Sequence, residues 1–266
     1  MCPIYMMKVL KCFNKHFLWL GPVLLLAACF EKETKPATFP LTVNFVHKVE
    51  GGPLELENIK YTTAAGDNFS IEKLQYLVSE IRLVKSNGEE ELLTEGHHLV
   101  DISDNATLVF KGGNEIPPAQ YKAIRMVLGL SEDKNISGAY PDLNLLSWSW
   151  PEMLGGGYHI MKLEGRYTGS LRTPFPFATH MGTAREITTT DTVFHANHVE
   201  LELPKVFTFN GPSTVEVTMD IKQWYEGPHE WDLDSLDVMI MPNYKAQKML
   251  RDNAYSVFSI GNVKTQ

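Results

Sequence analysis

The chain has 266 residues, 24 of them basic and 32 acidic, for a formal net charge of −8. An apolar share of 44%, with 19 glycines and 15 prolines, excludes the disordered and collagen-like classes. The acidic balance, without any run of Lys or Arg, excludes a nucleic-acid partner, because phosphates are neutralised by a clustered basic face.

Residues 1–28 read as a sorting signal. Lys8, Lys11 and Lys15 form a basic start, and an apolar stretch from Phe17 to Leu26 follows, interrupted by Gly21-Pro22. The stretch is too short for a span of about 20 apolar residues. It ends in Leu26-Ala27-Ala28-Cys29, which resembles the lipobox of bacterial lipoproteins. That resemblance implies cleavage before Cys29 and a diacylglycerol on its thiol. Residues 29–38 are then a lipidated tether. Cleavage takes the net charge from −8 to −11 and removes Cys2 and Cys12. The mature chain is left without a free thiol, so a transition-metal site must use His, Met or carboxylate ligands. The acids just after Cys29 resemble export signals of some lipoproteins, which favours the outer membrane.

From residue 39 to about 262 the period is two, and the chain reads as a single domain. Leu41, Val43, Phe45 and His47 share one face. A helical turn is expected at 71–74, with Ser70 as its cap. Leu77, Ser79, Ile81 and Leu83 alternate with Glu80 and Arg82. Ile124 to Leu130, Val199 to Leu203 and Val215 to Ile221 repeat the pattern. Turn signals such as Gly51-Gly52-Pro53, Asn87-Gly88 and Asn210-Gly211-Pro212 separate the strands. Asn243 is placed to cap a helix over 244–252. The fold class is all-β, a β-sandwich of Ig-like or jelly-roll-like type with a few short helices.

The serine-hydrolase elbow, the His-Glu-x-x-His zinc motif, the phosphate-binding loops and the EF-hand loop are all missing. Asp232-Leu233-Asp234-Ser235-Leu236-Asp237 has a calcium-like alternation that a solvated turn also explains. The chain is therefore expected not to be an enzyme. Eight histidines remain in the mature chain. His47 falls on an apolar strand face, and parity gives His159 the face of Met161 and Leu163. A neutral inward imidazole needs a hydrogen-bond partner or a metal. His97-His98 reads as surface. His195 and His198 would point to opposite faces of a strand, with a zinc or nickel role left open. Trp148 and Trp150 would project to one side of an extended segment, next to Gly155-Gly156-Gly157. That triplet permits either close backbone approach or a mobile loop.

Together these pieces resemble the MbnP-like copper-binding family. The carriers are Val43-Asn44-Phe45-Val46-His47, Leu74-Gln75-Tyr76-Leu77-Val78-Ser79, Leu128-Gly129-Leu130, Ser147-Trp148-Ser149-Trp150, Lys162-Leu163-Glu164-Gly165, Thr179-His180-Met181-Gly182, Asp220-Ile221-Lys222-Gln223-Trp224, and the segment from Asp252 to Ile260. The resemblance implies Cu(I) binding outside the cytoplasm, with His47 and His180 as metal ligands. It also implies a tryptophan ligand, Trp148 or Trp150, oxidised to kynurenine by a di-haem peroxidase-like partner. His159 joins the metal set from its parity and its place after the glycines. Some relatives carry His two residues after the modified Trp; here Trp150 or Glu152 stands there. The competing expectation is a metal-free display lipoprotein for glycan or protein ligands, with Trp224 and Trp231 exposed.

Overall fold

The computed structural model describes residues 37–266. The expected leader, the expected lipidation at Cys29 and most of the expected tether fall outside the described residues. The strands in chain order are β1 (Leu41–Val49), β2 (Gly52–Pro53), β3 (Tyr61–Thr62), β4 (Asn68–Phe69), β5 (Lys73–Lys85), β6 (Glu90–Asp101), β7 (Val109–Lys111) and β8 (Ala119–Leu128). Helix α1 (Pro141–Leu145) precedes β9 (Met161–Thr168), β10 (Phe175–Met181), β11 (Ala184–Ile187), β12 (Thr192–His195), β13 (Val199–Phe209) and β14 (Ser213–Asp220). Helix α2 (Tyr244–Val257) and β15 (Phe258–Thr265) close the chain.

Thirteen of these strands build the two layers of a β-sandwich, and β11 pairs with β12 in a separate two-stranded sheet. One sheet has five strands, β15-β14-β1-β2 with β7 added on β1; the other has eight, β13-β8-β5-β9-β4-β3 with β6 on β5 and β10 on β9. β1 alternates buried and half-buried at every position, as a period of two requires. Its inward row meets the inward row of β5, β8 and β9 in one core that includes Phe45, Tyr76, Leu128, Met161 and Leu163. Phe45 and Tyr76 join the layers edge to face, with ring centroids 6.1 Å apart.

β5 departs from simple alternation. It begins at Lys73, so the helical turn expected at 71–74 does not form; Ser70 Oγ instead bonds to the Arg166 carbonyl. Leu74, Tyr76 and Val78 point into the sandwich, whereas Leu77 points out. Past a bulge at Glu80, with φ 53°, Ile81 and Leu83 point in. The extra residue swaps the faces, which is why Leu77 and Ile81 do not share one. On the outer face Leu77 packs with Leu130, Leu143, Trp148 and Tyr158, a second small core.

The remaining expectations divide. Asn243 caps α2 through Ala246 N–H at 3.1 Å, and the helix continues to Val257, past its expected end. Trp224 and Trp231 are fully buried, not exposed. His97 and His98 are half-buried: His97 Nε2 lies 2.7 Å from Asp142, and His98 Nε2 lies 2.7 Å from the Thr107 carbonyl. β6 turns them to opposite faces, His98 against Phe45 and Phe110 and His97 against Tyr140, and a buried imidazole takes a partner.

His47 lies between the layers with Nε2 3.0 Å from the Tyr76 hydroxyl. Burial pushes its pKa down to about 4. The unfolded chain protonates this imidazole near pH 6.5, so the unfolded state binds more protons between pH 6.5 and 4, and stability falls as pH falls through that window. His47→Gln, which keeps a polar partner for Tyr76, should flatten this dependence by up to about 1.4 kcal/mol per pH unit. Urea unfolding at several pH values checks it; an unchanged slope would refute the assignment.

Candidate functional site

β9 and β10 pair antiparallel, with His180 opposite Lys162 and Met181 opposite Met161. Met161 and Met181 belong to the main core, so Lys162, Glu164 and His180 share the outer face. His180 Nε2 lies 2.9 Å from Glu164 Oε1, and Lys73 Nζ from β5 lies 3.3 Å from the same oxygen. The hydrogen bond from His180, aided by the Lys73 charge, holds the Glu164 carboxyl down at about 2.

The tryptophan segment lies against the approach to β9. Pro141 starts α1, and a left-handed residue at Ser147, φ 53°, sends the chain on after the helix. Trp148 to Trp150 then runs antiparallel to Gly157 to His159: Trp150 N–H donates to the Gly157 carbonyl at 2.9 Å, and His159 N–H to the Trp148 carbonyl at 2.9 Å. His159 therefore precedes β9 and leaves the parity of Met161. Instead of entering the sandwich with Met161 and Leu163, its ring lies 4.9 Å from Trp150, 5.7 Å from Trp148 and 5.5 Å from His180, centroid to centroid. Lys162 Nζ stands 4.5 Å over the Trp148 ring and donates to the Ser147 carbonyl at 3.1 Å.

Burial pushes the His159 pKa down to about 3, with smaller pushes from Lys162 and His180, so the ring is neutral around pH 7. Burial likewise lowers the Lys162 pKa. A neutral imidazole keeps a lone pair that a metal can take. His159 and His180 are thus two adjacent nitrogen donors, walled by two indoles, on the covered outer face of the sheet.

Close packing holds the walls. Gly155, Gly156 and Gly157 all have positive φ, and a Cβ on any of them would overlap a neighbouring side chain. The triplet serves close backbone approach and is not a loose loop. Trp150 donates its indole N–H to the Leu154 carbonyl at 3.2 Å and lies flat on Gly182. The fully buried Gln247 of α2 donates to the His180 carbonyl at 2.7 Å and accepts from Gly182 N–H at 3.1 Å, gripping β10 on both sides of Met181.

The structure thus brings together His159, His180, Trp148 and Trp150, and sets His47 apart. Tyr76, the partner of His47, points into the sandwich, while its neighbour Leu77 points out and packs with Trp148. Successive strand residues face opposite ways, so His47 and the cluster stand on opposite faces of the eight-stranded sheet. Leu145 and Leu146, just before the tryptophan segment, are exposed. His195 pairs with Glu186 at 2.8 Å, and burial lowers the His198 pKa; neither joins the cluster. Among the described residues, the only three ligand atoms of His, Asp or Glu within 4.8 Å of one another belong to Asp67, Asp232 and Asp234. Asp232 is engaged in its own turn, accepting from Asp234 N–H and the Ser235 hydroxyl. Sequence reasoning missed Glu164, Lys162 and Gln247 as parts of the site. Alternation could have paired Lys162 with Glu164, but nothing local marks Gln247.

Gly182→Ala tests how tightly the indole wall is held. The new Cβ would stand 2.4 Å from the Trp150 ring, an overlap of the kind that costs about 1–3 kcal/mol. Thermal denaturation should show a Tm lower by several degrees, and the tryptophan emission should shift as Trp150 moves. An unchanged Tm and spectrum would mean that the contact is slack.

The comparisons with known proteins agree with this architecture. The MbnP family model matches residues 38–242. No curated protein matches. Among solved structures, MbnP from Methylosinus trichosporium shares 14% identity, covers 85% of this chain and 99% of its own, and superposes with a TM-score of 0.56, a likeness that shows the fold. The family model spans well over half of the chain, and on that ground the chain belongs to the MbnP family.

Proposed function

We propose that the protein binds Cu(I) outside the cytoplasm, anchored by lipid at Cys29, and is not an enzyme. His159 and His180 are the ligands, and Trp148 and Trp150 are the neighbouring walls. The observation that carries this is the imidazole pair itself, with ring centroids 5.5 Å apart. That spacing is within reach of one ion bonded to both rings at about 2 Å. The chemistry fits: imidazole suits copper, and His159 is held neutral. Beyond the expected cleavage point the sequence has no Cys other than Cys29, so nitrogen must serve where thiolate otherwise would. Cu(I) bound by few ligands supplies a transferable soft cation, in keeping with a role in collecting or passing copper. Among the described residues no helix is long and apolar enough to cross a membrane. The display reading loses one of its supports, since Trp224 and Trp231 are buried.

The same reading includes oxidation of one indole to kynurenine by a di-haem peroxidase-like partner. An indole nitrogen has no free lone pair, whereas the aniline-type nitrogen of kynurenine has one. Both rings neighbour His159; the Trp150 indole nitrogen is engaged by the Leu154 carbonyl, whereas the buried Trp148 nitrogen has no hydrogen-bond partner. Peptide mass mapping from the native host should find Trp148 or Trp150 converted, and protein made without the partner should carry both unchanged.

The copper test uses protein loaded with Cu(I) under reducing conditions and competed with a chromophoric chelator. The His159→Ala, His180→Ala double variant should bind about 100-fold more weakly or worse, equivalent to some 2.7 kcal/mol. His47→Ala should keep its copper, provided that circular dichroism shows it folded. Equal retention by wild type and the double variant would end the proposal.

A further inference from the structure

We infer that Glu164 is the positioning residue of the imidazole pair: it holds His180 with Nε2 protonated and Nδ1 free, while the Trp148 carbonyl holds His159 the opposite way, with Nδ1 protonated and Nε2 free. The identity of the ion rests on the Cu(I) reading; the choice of nitrogens does not.

Donors and acceptors alone decide the two tautomers. His180 Nε2 lies 2.9 Å from Glu164 Oε1. The carboxylate also receives Lys73 Nζ at 3.3 Å, and an ionised carboxylate only accepts. The hydrogen of this contact therefore sits on His180 Nε2, and in the neutral ring the lone pair is on Nδ1. His159 Nδ1 lies 3.0 Å from the Trp148 carbonyl oxygen. A carbonyl oxygen also only accepts, so His159 carries its hydrogen on Nδ1 and its lone pair on Nε2. The other tautomer of either ring would set two lone pairs against each other.

Both assignments are built into the fold. Strand register puts His180 opposite Lys162 and so diagonal to Glu164 on the same face. Gln247 fixes the backbone on either side of Met181, which leaves the His180 ring orientation to Glu164. The Trp148 carbonyl is fixed by the backbone hydrogen bond from His159 itself. Ligating histidines commonly donate their second N–H to a carboxylate or carbonyl, and loss of such a partner costs about 10–100-fold in metal affinity.

Long-range proton–nitrogen correlation spectra of the 15N-labelled metal-free protein read the tautomers directly. The wild type should show His180 as the Nε2–H form and His159 as the Nδ1–H form. Glu164→Ala should shift His180 towards a tautomer mixture and leave His159 unchanged, whereas Lys73→Ala, which keeps the carboxylate, should leave both as they are. A wild-type His180 found as Nδ1–H overturns the inference without any variant, and so does a His180 tautomer unmoved in a folded Glu164→Ala protein. In the copper arm, Glu164→Ala should weaken Cu(I) binding about 10–100-fold. Cu(I) is diamagnetic, so loading should move the His180 Nδ1 and His159 Nε2 resonances. Equal affinity of wild type and Glu164→Ala overturns the positioning role. Failure of the wild type to bind Cu(I) overturns the proposed function and leaves the tautomer result to stand or fall by itself.

Discussion

Tyr76 and Leu77 are consecutive residues of β5, both fully buried, and they point to opposite faces of the same sheet. A strand apolar on both faces needs cover on both. The five-stranded sheet covers the Tyr76 side. On the Leu77 side the cover comes from α1 and the tryptophan segment, which bring Leu143, Trp148 and Tyr158 down onto the strand. The candidate metal centre exists because that second layer has to be there. It forms where the covering segment meets β9 and β10, and its indoles belong to the cover.

The cover is rigid, and rigidity is what a ligand pair needs. Two imidazoles hold an ion well only if they already stand at the right separation, since ordering flexible side chains on binding costs free energy. Here the three left-handed glycines, the contact of Trp150 with Gly182 and the grip of Gln247 on β10 all limit movement around His159 and His180. Burial adds the second requirement. By disfavouring the charged form it keeps His159 neutral, and a neutral ring has the lone pair that a metal uses. Lys162, itself poorly solvated above Trp148, adds a positive charge nearby that further discourages protonation.

His47 shows how the same chemistry yields a different arrangement. It too is buried and neutral, but its neighbours are Tyr76 and Phe45, and its Nε2 is already engaged by a hydroxyl. A buried polar group is satisfied by whatever partner the packing offers. For His47 that partner comes from within the sandwich. For His159 it is a backbone carbonyl that leaves the second nitrogen unused.

Much of the fold was legible in the order of residues. The alternation of Leu41 to His47, of Val199 to Leu203 and of Val215 to Ile221 is a local property of a strand with one buried face, and so was readable. Asn243 as a cap was readable for the same reason: its side chain reaches only three residues along. The lack of any cysteine after Cys29 and the presence of Trp148, Trp150, His159 and His180 set the chemistry available to the folded domain. Only the tertiary structure decided which of these residues meet. The bulge at Glu80 reverses the faces of β5. The bend before β9 takes His159 out of the parity of Met161, and Gln247 reaches His180 across 67 positions of chain. Strand period is set by neighbours two residues apart, but a bulge and a long-range hydrogen bond are set by what packs against the strand, and that partner is chosen only when the whole chain has folded.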